Sequence, residues 1–402
     1  MQTAIPPEMF VNPDVAEANS ILRSCVHCGF CNATCPTYRL LGNELDGPRG
    51  RIYLIKEMLE GNESSTKTQL HLDRCLTCRA CETACPSGVK YGRLIDIGRQ
   101  VIEKRTSRSV WQLFLRRILL AILPYPGRFA LVLIVGRMVR PLLSLSMQRK
   151  IPIKRQKTLS RPHKINVRNM LMLEGCVQSL TAPNINTAAA CVLDKLGISL
   201  VSASRAGCCG ALNQHLVDFD GAHDMMRRNI DAWWPYIEQG TEAIVMTSSG
   251  CGLMVKEYAI ALKDDPDYAA KAVRISELTR DLSEILNRED LSILAGVGQG
   301  VRVAYQAPCT LQHGQKLRGA VEIILQNCGY TVVPVADGDL CCGAAGTYCL
   351  LQRKLSYQLL ENKLSALQYG VPDVIATANI GCQLHLESGT DLPVRHWIEL
   401  LQ

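Results

Sequence analysis

The spacing of apolar residues changes character twice along the chain. Between residues 51 and 60 apolar side chains return at helical intervals, with Ile52, Ile55 and Leu59 on one side, which predicts a helix. From 104 to 168 the pattern is different. Apolar runs at 111–115, 118–123 and 129–135 are cut by Arg116, Arg117, Arg128, Arg137 and Arg140, and by Pro124, Pro126 and Gly127. Beyond 168, short apolar blocks at 170–175, 198–201, 243–250, 301–308, 331–335 and 373–381 read as strands, and 186–196 and 321–328 read as helices. Strand–helix–strand order predicts α/β organisation there. The expected fold is α+β and multidomain: a mostly helical domain at 1–103, a basic helical linker at 104–168, and two α/β repeats at 169–300 and 301–402.

Charge sharpens the middle segment. The 402 residues carry a formal net charge of +7, yet 104–168 holds 16 Lys and Arg and no Asp or Glu, leaving 28 basic and 37 acidic residues elsewhere. A spanning helix needs about 20 apolar residues, which the arginines and prolines deny it. A basic, apolar, interrupted stretch suits the surface of an anionic membrane leaflet; a linker packed on a partner subunit or on the chain's own core fits the same pattern. Aromatic residues are 5% of the chain, which argues against base stacking, and no nucleic-acid partner is expected.

The 19 cysteines are the chemical outlier. The start, Met1-Gln2-Thr3-Ala4-Ile5-Pro6, lacks the apolar run of a secretory signal, and the cysteines come in tight groups, so a reduced, cytoplasmic setting and metal binding are expected. Cys25, Cys28, Cys31 and Cys35-Pro36 form a C-x2-C-x2-C-x3-C-P run, and Cys75, Cys78, Cys81 and Cys85-Pro86 form another. Three closely spaced thiolates wrap one corner set of an iron–sulfur cube, and in two-cluster proteins the fourth cysteine serves the other cube. Cys25, Cys28, Cys31 and Cys85 are therefore expected to hold one [4Fe–4S] cluster, and Cys75, Cys78, Cys81 and Cys35 the second, in a helical ferredoxin-type module. Zinc sites favour paired knuckles or Cys/His sets instead. Arg49, Arg51, Arg74 and Arg79 lie near the motifs and are candidates for offsetting cluster charge, or else ordinary surface arginines.

The C-terminal half repeats itself. Cys176 is followed after 32 residues by Cys208-Cys209-Gly210 and then Cys251; Cys309 is followed after 32 residues by Cys341-Cys342-Gly343 and then Cys382. Four cysteines per copy, each at a strand end or tight turn, can converge at the carboxyl edge of a sheet. They are candidate ligands for a further iron–sulfur or zinc centre; buried reduced thiols are the other reading. Cys191, Cys328 and Cys349 break the register and read as core residues. His313 and His385 follow repeat cysteines; His385 has ligand-compatible spacing, but Met254 occupies the matching place in the first copy. Gly296, Gly298 and Gly300 precede a strand and form a loop, not a dinucleotide fingerprint, and no catalytic motif is found.

Two such runs followed by two CCG repeats resemble the iron–sulfur subunits of flavin-dependent hydroxyacid and glycerol-3-phosphate dehydrogenases and of heterodisulfide reductases, with the glycolate-oxidising type most similar. The matching stretches are 25–38, 44–55, 71–88, 206–210, 229–234, 341–348, 377–385 and 394–400. The resemblance implies an electron-transfer subunit of a membrane-associated complex, on the cytoplasmic side of the inner membrane. FAD-containing partner subunits would oxidise glycolate to glyoxylate, and electrons would pass to quinone. Lactate or glycerol 3-phosphate are the alternative substrates of such a complex. Heterodisulfide-reductase relatives end each repeat in C-x2-C; here the ends are Cys251-Gly-Leu-Met254 and Cys382-Gln-Leu-His385, one thiol short, which argues against disulfide reduction by this chain.

Overall fold

The computed structural model describes residues 1–142, 159–162 and 166–402. The part of the basic segment at 143–158 and 163–165 lies outside the described residues.

The N-terminal domain is helical. Helices Pro13–Ser24, Pro48–Leu59, Thr66–Asp73 and Tyr91–Arg105 bury Leu22, Ile55, Leu59, Leu72, Leu94 and Ile95 against one another. Local signals start them: the Asn12 side chain accepts from Asp14 N ahead of Pro13, and Ser65 and Thr68 form a capping box. Pro48–Leu59 covers the helix expected at 51–60. Gly98 lets the last helix lie flat on this one, since a Cβ there would sit 2.6 Å from Ile55 Cγ1.

The basic segment begins as two helices, Val110–Ile122 and Pro126–Val139, bent by 111° at the Pro124–Pro126 break. Among the described residues no single helix is long and apolar enough to cross a membrane. Arg108 and Arg116 tie the first helix to the N-terminal domain, both donating to Asp73. Of the first helix only Leu119 is buried, and Trp111, Phe114, Leu131, Ile134, Val135 and Met138 are exposed.

The C-terminal half holds two sheets of four parallel strands each. The first, in the order β2-β1-β3-β4, comprises β1 (Arg168–Met172), β2 (Ile198–Ser202), β3 (Ile244–Met246) and β4 (Thr279–Asp281). The second, in the order β6-β5-β7-β8, comprises β5 (Arg302–Gln306), β6 (Thr331–Val333), β7 (Val374–Thr377) and β8 (Val394–His396). Identical strand order is the structural form of the cysteine repeat. Of the inner strands, β3 and β7 are buried end to end, and β1 and β5 are buried beyond their polar first residues, as expected where helices cover both faces of a parallel sheet. The lobes share a core: Val192, Val245 and Ile285 of the first lie in one buried cluster with Val303, Ile324 and Trp397 of the second.

Candidate iron–sulfur and thiol sites

Each N-terminal cysteine run curls by turning twice through left-handed backbone. His27 and Gly29 have φ of 56° and 84°, and Thr77 and Arg79, at the same places in the second run, have 51° and 60°. A residue with a Cβ held there costs about 1–2 kcal/mol, so the surroundings must hold Arg79 in place. Its guanidinium is gripped through both terminal nitrogens by the carboxylate of Glu257, from the first cysteine-rich lobe.

The curls bring the cysteines together across the two runs. Burial pushes the Cys31 thiol up to about 11, and the neighbouring charges acting the same way come from Cys25, Cys85 and Cys28. Burial likewise raises Cys81, joined by Cys78, Cys75 and Cys35. The fourth cysteine of each run thus stands with the first three of the other. A small cavity of about 20 Å³ lies among Cys25, Cys28, Cys31, Cys81 and Cys85. The donor set is purely thiol, which suits iron–sulfur clusters. Among the described residues no three Cys, His, Asp or Glu side chains stand close enough to bind a single ion directly. Several donors face the sulfurs: Val89 N reaches Cys85 Sγ at 3.4 Å, Thr77 N reaches Cys75 Sγ at 3.4 Å and Tyr91 Oη the same sulfur at 3.7 Å.

Of the four arginines near the motifs, Arg51 comes within hydrogen-bonding range of a cysteine sulfur, its Nη1 3.9 Å from Cys35 Sγ. It is buried beside Asp46 at 3.8 Å, and Arg74 Nη1 and His71 Nδ1 each lie 2.9 Å from the same carboxylate. Arg49 binds half-exposed Glu44. The two thiol sets differ in access. Cys28 is exposed, between exposed Val26 and Phe30, whereas Cys35, Cys75, Cys78 and Cys81 are buried.

The repeat cysteines converge within each lobe, beyond the carboxyl ends of the strands. Cys176 follows β1, Cys208 and Cys209 follow β2, and Cys251 opens the helix after β3; Cys309, Cys341, Cys342 and Cys382 take the same places around β5, β6 and β7. Cys176 and Cys208 sulfurs lie 3.4 Å apart, a hydrogen bond that draws Cys208 down and Cys176 up; Cys309 and Cys341 lie 4.0 Å apart. The neighbouring thiols, Cys208 and Cys251 beside Cys209 and Cys382 beside Cys342, act with burial to push Cys209 and Cys342 up. Both CCG glycines are left-handed, Gly210 at 91° and Gly343 at 89°, and a Cβ on Gly343 would meet Ser356 O at 2.7 Å; only glycine fits these turns.

Asn229, which begins one of the matching stretches but has no role assigned from the sequence, clamps the first CCG turn. Its Oδ1 accepts from Gly207 N at 2.8 Å and its Nδ2 donates to Cys208 O at 2.9 Å. Tyr258 Oη donates to Cys209 O at 2.9 Å. No local pattern marks either residue, because both act across 20 or more positions. His313 is hydrogen-bonded at both ring nitrogens, to Thr83 Oγ1 and Asp339 O at 3.0 Å each. His385 is buried with Nε2 3.1 Å from Ser356 Oγ. Cys328 is core, while Cys191 and Cys349 are half-buried.

The N-terminal domain docks on both lobes. Leu76, Cys78 and Ala80 share one buried apolar cluster with Cys341, Tyr348, Leu355 and Leu359, with Cys309 against it. After burial, the largest electrostatic influence on Cys78 comes from Cys309, and Cys78 acts in turn on Cys341. The second thiol set of the module therefore abuts the thiols of the second lobe. All eight repeat cysteines line one cavity of about 630 Å³, which Arg79 and Glu257 of the docking contact also border.

Residues 21–89 match the 4Fe-4S dicluster domain family, and residues 170–256 and 303–387 each match the cysteine-rich domain family. The chain is 53% identical to the glycolate oxidase iron-sulfur subunit of Escherichia coli K12 over 402 residues, covering all of this chain and 98% of that one. It is 28% identical to the probable glycolate oxidase iron-sulfur subunit of Bacillus subtilis 168, covering 92% and 89%. Lactate utilization protein A of Bacillus cytotoxicus is 25% identical over 56% of this chain and 95% of its own length. Among solved structures, a hypothetical protein from Helicobacter pylori superposes with a TM-score of 0.56 at 9% identity, over 88% of this chain and 67% of that one, a likeness of fold alone. On full-length similarity and on both cysteine-rich domain types, the chain belongs to the glycolate oxidase iron–sulfur subunit family.

Proposed function

We propose that this chain is the electron-transfer subunit of a flavin-dependent glycolate-oxidising complex on the cytoplasmic side of the inner membrane, delivering electrons to quinone. Cys25, Cys28, Cys31 and Cys85 hold one [4Fe–4S] cluster; Cys75, Cys78, Cys81 and Cys35 hold the other. When bound, such clusters take and release single electrons, which lets a two-electron flavin donor feed a two-electron acceptor. The rest is the work of the chain. Val89 N, Thr77 N and Tyr91 Oη present donors to the sulfurs, Arg51 brings positive charge to Cys35, and the apolar cluster at Cys78 excludes water.

The placement of Cys78 against Cys309 and Cys341 carries this reading. It supports a route between the two thiol sets, which we read as follows. Electrons enter near exposed Cys28, where FAD-containing subunits dock, and leave through the buried set into the second lobe. A further iron–sulfur or zinc centre sits on Cys176, Cys208, Cys209 and Cys251, on Cys309, Cys341, Cys342 and Cys382, or on both. The exposed apolar face of the helical pair, with Arg117, Arg128 and Arg137 among its residues, rests on the anionic leaflet.

The test is iron, sulfide and zinc analysis with EPR on the anaerobically purified complex. About eight iron atoms per chain from the N-terminal cysteines, reduced on adding glycolate, are expected. Stoichiometric zinc without labile sulfide, or clusters that glycolate leaves oxidised, would refute the proposal. Reduction by lactate alone would move the assignment to the lactate-oxidising relatives, which the similarity to lactate utilization protein A makes the second reading.

A further inference from the structure

The 630 Å³ cavity shared by the two lobes has a wall that belongs to neither of them. Leu123, Phe129 and Leu133, from the turn and second helix of the bent pair, line it together with the repeat cysteines. The same helix exposes Leu131, Val132, Ile134, Val135 and Met138 on the outside of the molecule. One short helix thus presents apolar side chains both to the thiol cavity and to the exterior. The volume lies within the roughly 300–1,000 Å³ of pockets that enclose small organic ligands.

Polar and charged side chains also line the cavity, among them the paired Arg79 and Glu257, and three of its buried polar atoms are unmatched. His215 Nδ1, Gln214 Oε1 and Gln178 Oε1 are buried, line the cavity and have no hydrogen-bond partner. Gln178 is 1% exposed, its amide nitrogen held by Asn186 and Thr247. Burial and the nearby guanidinium groups of Arg99 and Arg79 push His215 down to about 4, so its ring is neutral at physiological pH. A buried polar atom without a partner costs about 1–3 kcal/mol, and a mostly apolar pocket with a few convergent polar groups is the usual form of a small-molecule site.

We propose that this cavity is the quinone-reducing site, so that the terminal acceptor of the proposed function binds on this chain, between the cysteine-rich lobes and the bent helical pair. The inference rests on the electron-transfer reading above and adds the location. A quinone ring is apolar on both faces and carries two carbonyl oxygens; a ring N–H of His215 donates to one of them. After reduction the quinol hydroxyls are donors, which Gln178 Oε1 and Gln214 Oε1 accept. The balance is simple: the quinone gains two electrons, one at a time, through the cysteine-held centres from the reduced flavin of the partner subunit. It takes two protons from water, and each C=O becomes C–OH. The isoprenoid tail leaves along Phe129 and Leu133 toward the exposed apolar face.

The experiment uses the intact, iron-loaded complex. An arylazido-quinone is photolysed with the oxidised complex, and labelled peptides are mapped by mass spectrometry. Label in 123–133 or in 211–216 supports the site; label found only in other subunits, or only outside this cavity, overturns it. In parallel, Leu133→Trp fills the cavity from the helical side. The ratio of quinone to ferricyanide reduction is expected to fall about tenfold or more as the pocket is blocked; a ratio equal to that of the unmodified complex overturns the site. Should that variant fail to assemble, labelling of the unmodified complex decides. Labelling needs no turnover, so its failure refutes the location, whereas clusters that glycolate leaves oxidised refute the underlying reading.

Discussion

The guanidinium of Arg51, 1% exposed, lies 3.9 Å from the sulfur of Cys35. It is a fixed positive charge beside a cysteine of the second thiol set, in an interior where screening by salt is weak. A cluster gains negative charge on reduction, so this charge favours the reduced form. Arg51→Met is expected to lower the midpoint potential of that cluster on the order of 50 mV, a sevenfold shift in a one-electron equilibrium. Arg51→Lys should retain most of the original value. Redox titration followed by EPR measures both, and equal potentials in all three proteins would remove Arg51 from the account.

Ligand sets can be told apart by single substitutions. Cys28→Ser should lose about four iron atoms and the signal of the exposed cluster while leaving the other spectrum in place. Cys85→Ser should affect the same cluster as Cys28→Ser, although it belongs to the other run. If it instead perturbs the cluster of Cys75 and Cys78, the crossed assignment is wrong.

The contact between Arg79 and Glu257 holds a strained curl and a domain interface at once. Glu257→Gln leaves a half-buried guanidinium with a weaker partner, at a cost of about 1–3 kcal/mol. Amide hydrogen exchange at 77–93 should accelerate, and the apolar contact at Cys78 should loosen with it. Exchange unchanged across that segment would show that other contacts suffice.

Acid should destabilise the second lobe through His396. Burial pushes this histidine down to about 3, and its Nδ1 accepts from Ile398 N at 3.3 Å. The unfolded chain binds a proton near pH 6.5 and the folded chain does not, so stability is full above that value and falls as pH drops from 6.5 toward 3. By pH 5 the loss is about 2 kcal/mol. His396→Gln should flatten this part of the profile of unfolding midpoint against pH.

Membrane attachment should follow the outer face of the bent helices. Replacing Leu131, Val135 and Met138 together with Gln removes exposed apolar surface while leaving the cavity side of the helix alone. Flotation with anionic vesicles should fall several-fold and the remaining binding should become more salt-sensitive. Unaltered flotation would place the contact elsewhere.

Much of this was legible in the cysteine spacing. The repeat, its strand-end geometry and the helix at Pro48–Leu59 all follow from local spacing. The fourth strand of each sheet was not legible. Thr279–Asp281 and Val394–His396 have three residues each and polar side chains within them, too short for any alternating pattern. Nor does sequence reveal that Cys78 meets Cys309, that Glu257 grips Arg79, or that Phe129 and His215 face one cavity. Those pairs are separated by more than 80 positions, and what joins them is the packing of one domain on another.

The common core beneath the two sheets has a consequence of its own. Here Trp397 of the late half fills the interior beneath the early half's helix Asn184–Lys195, in one continuous mass with Val245 and Ile324. Neither lobe is closed without the other: excising either one would open to water the apolar face that its neighbour now covers.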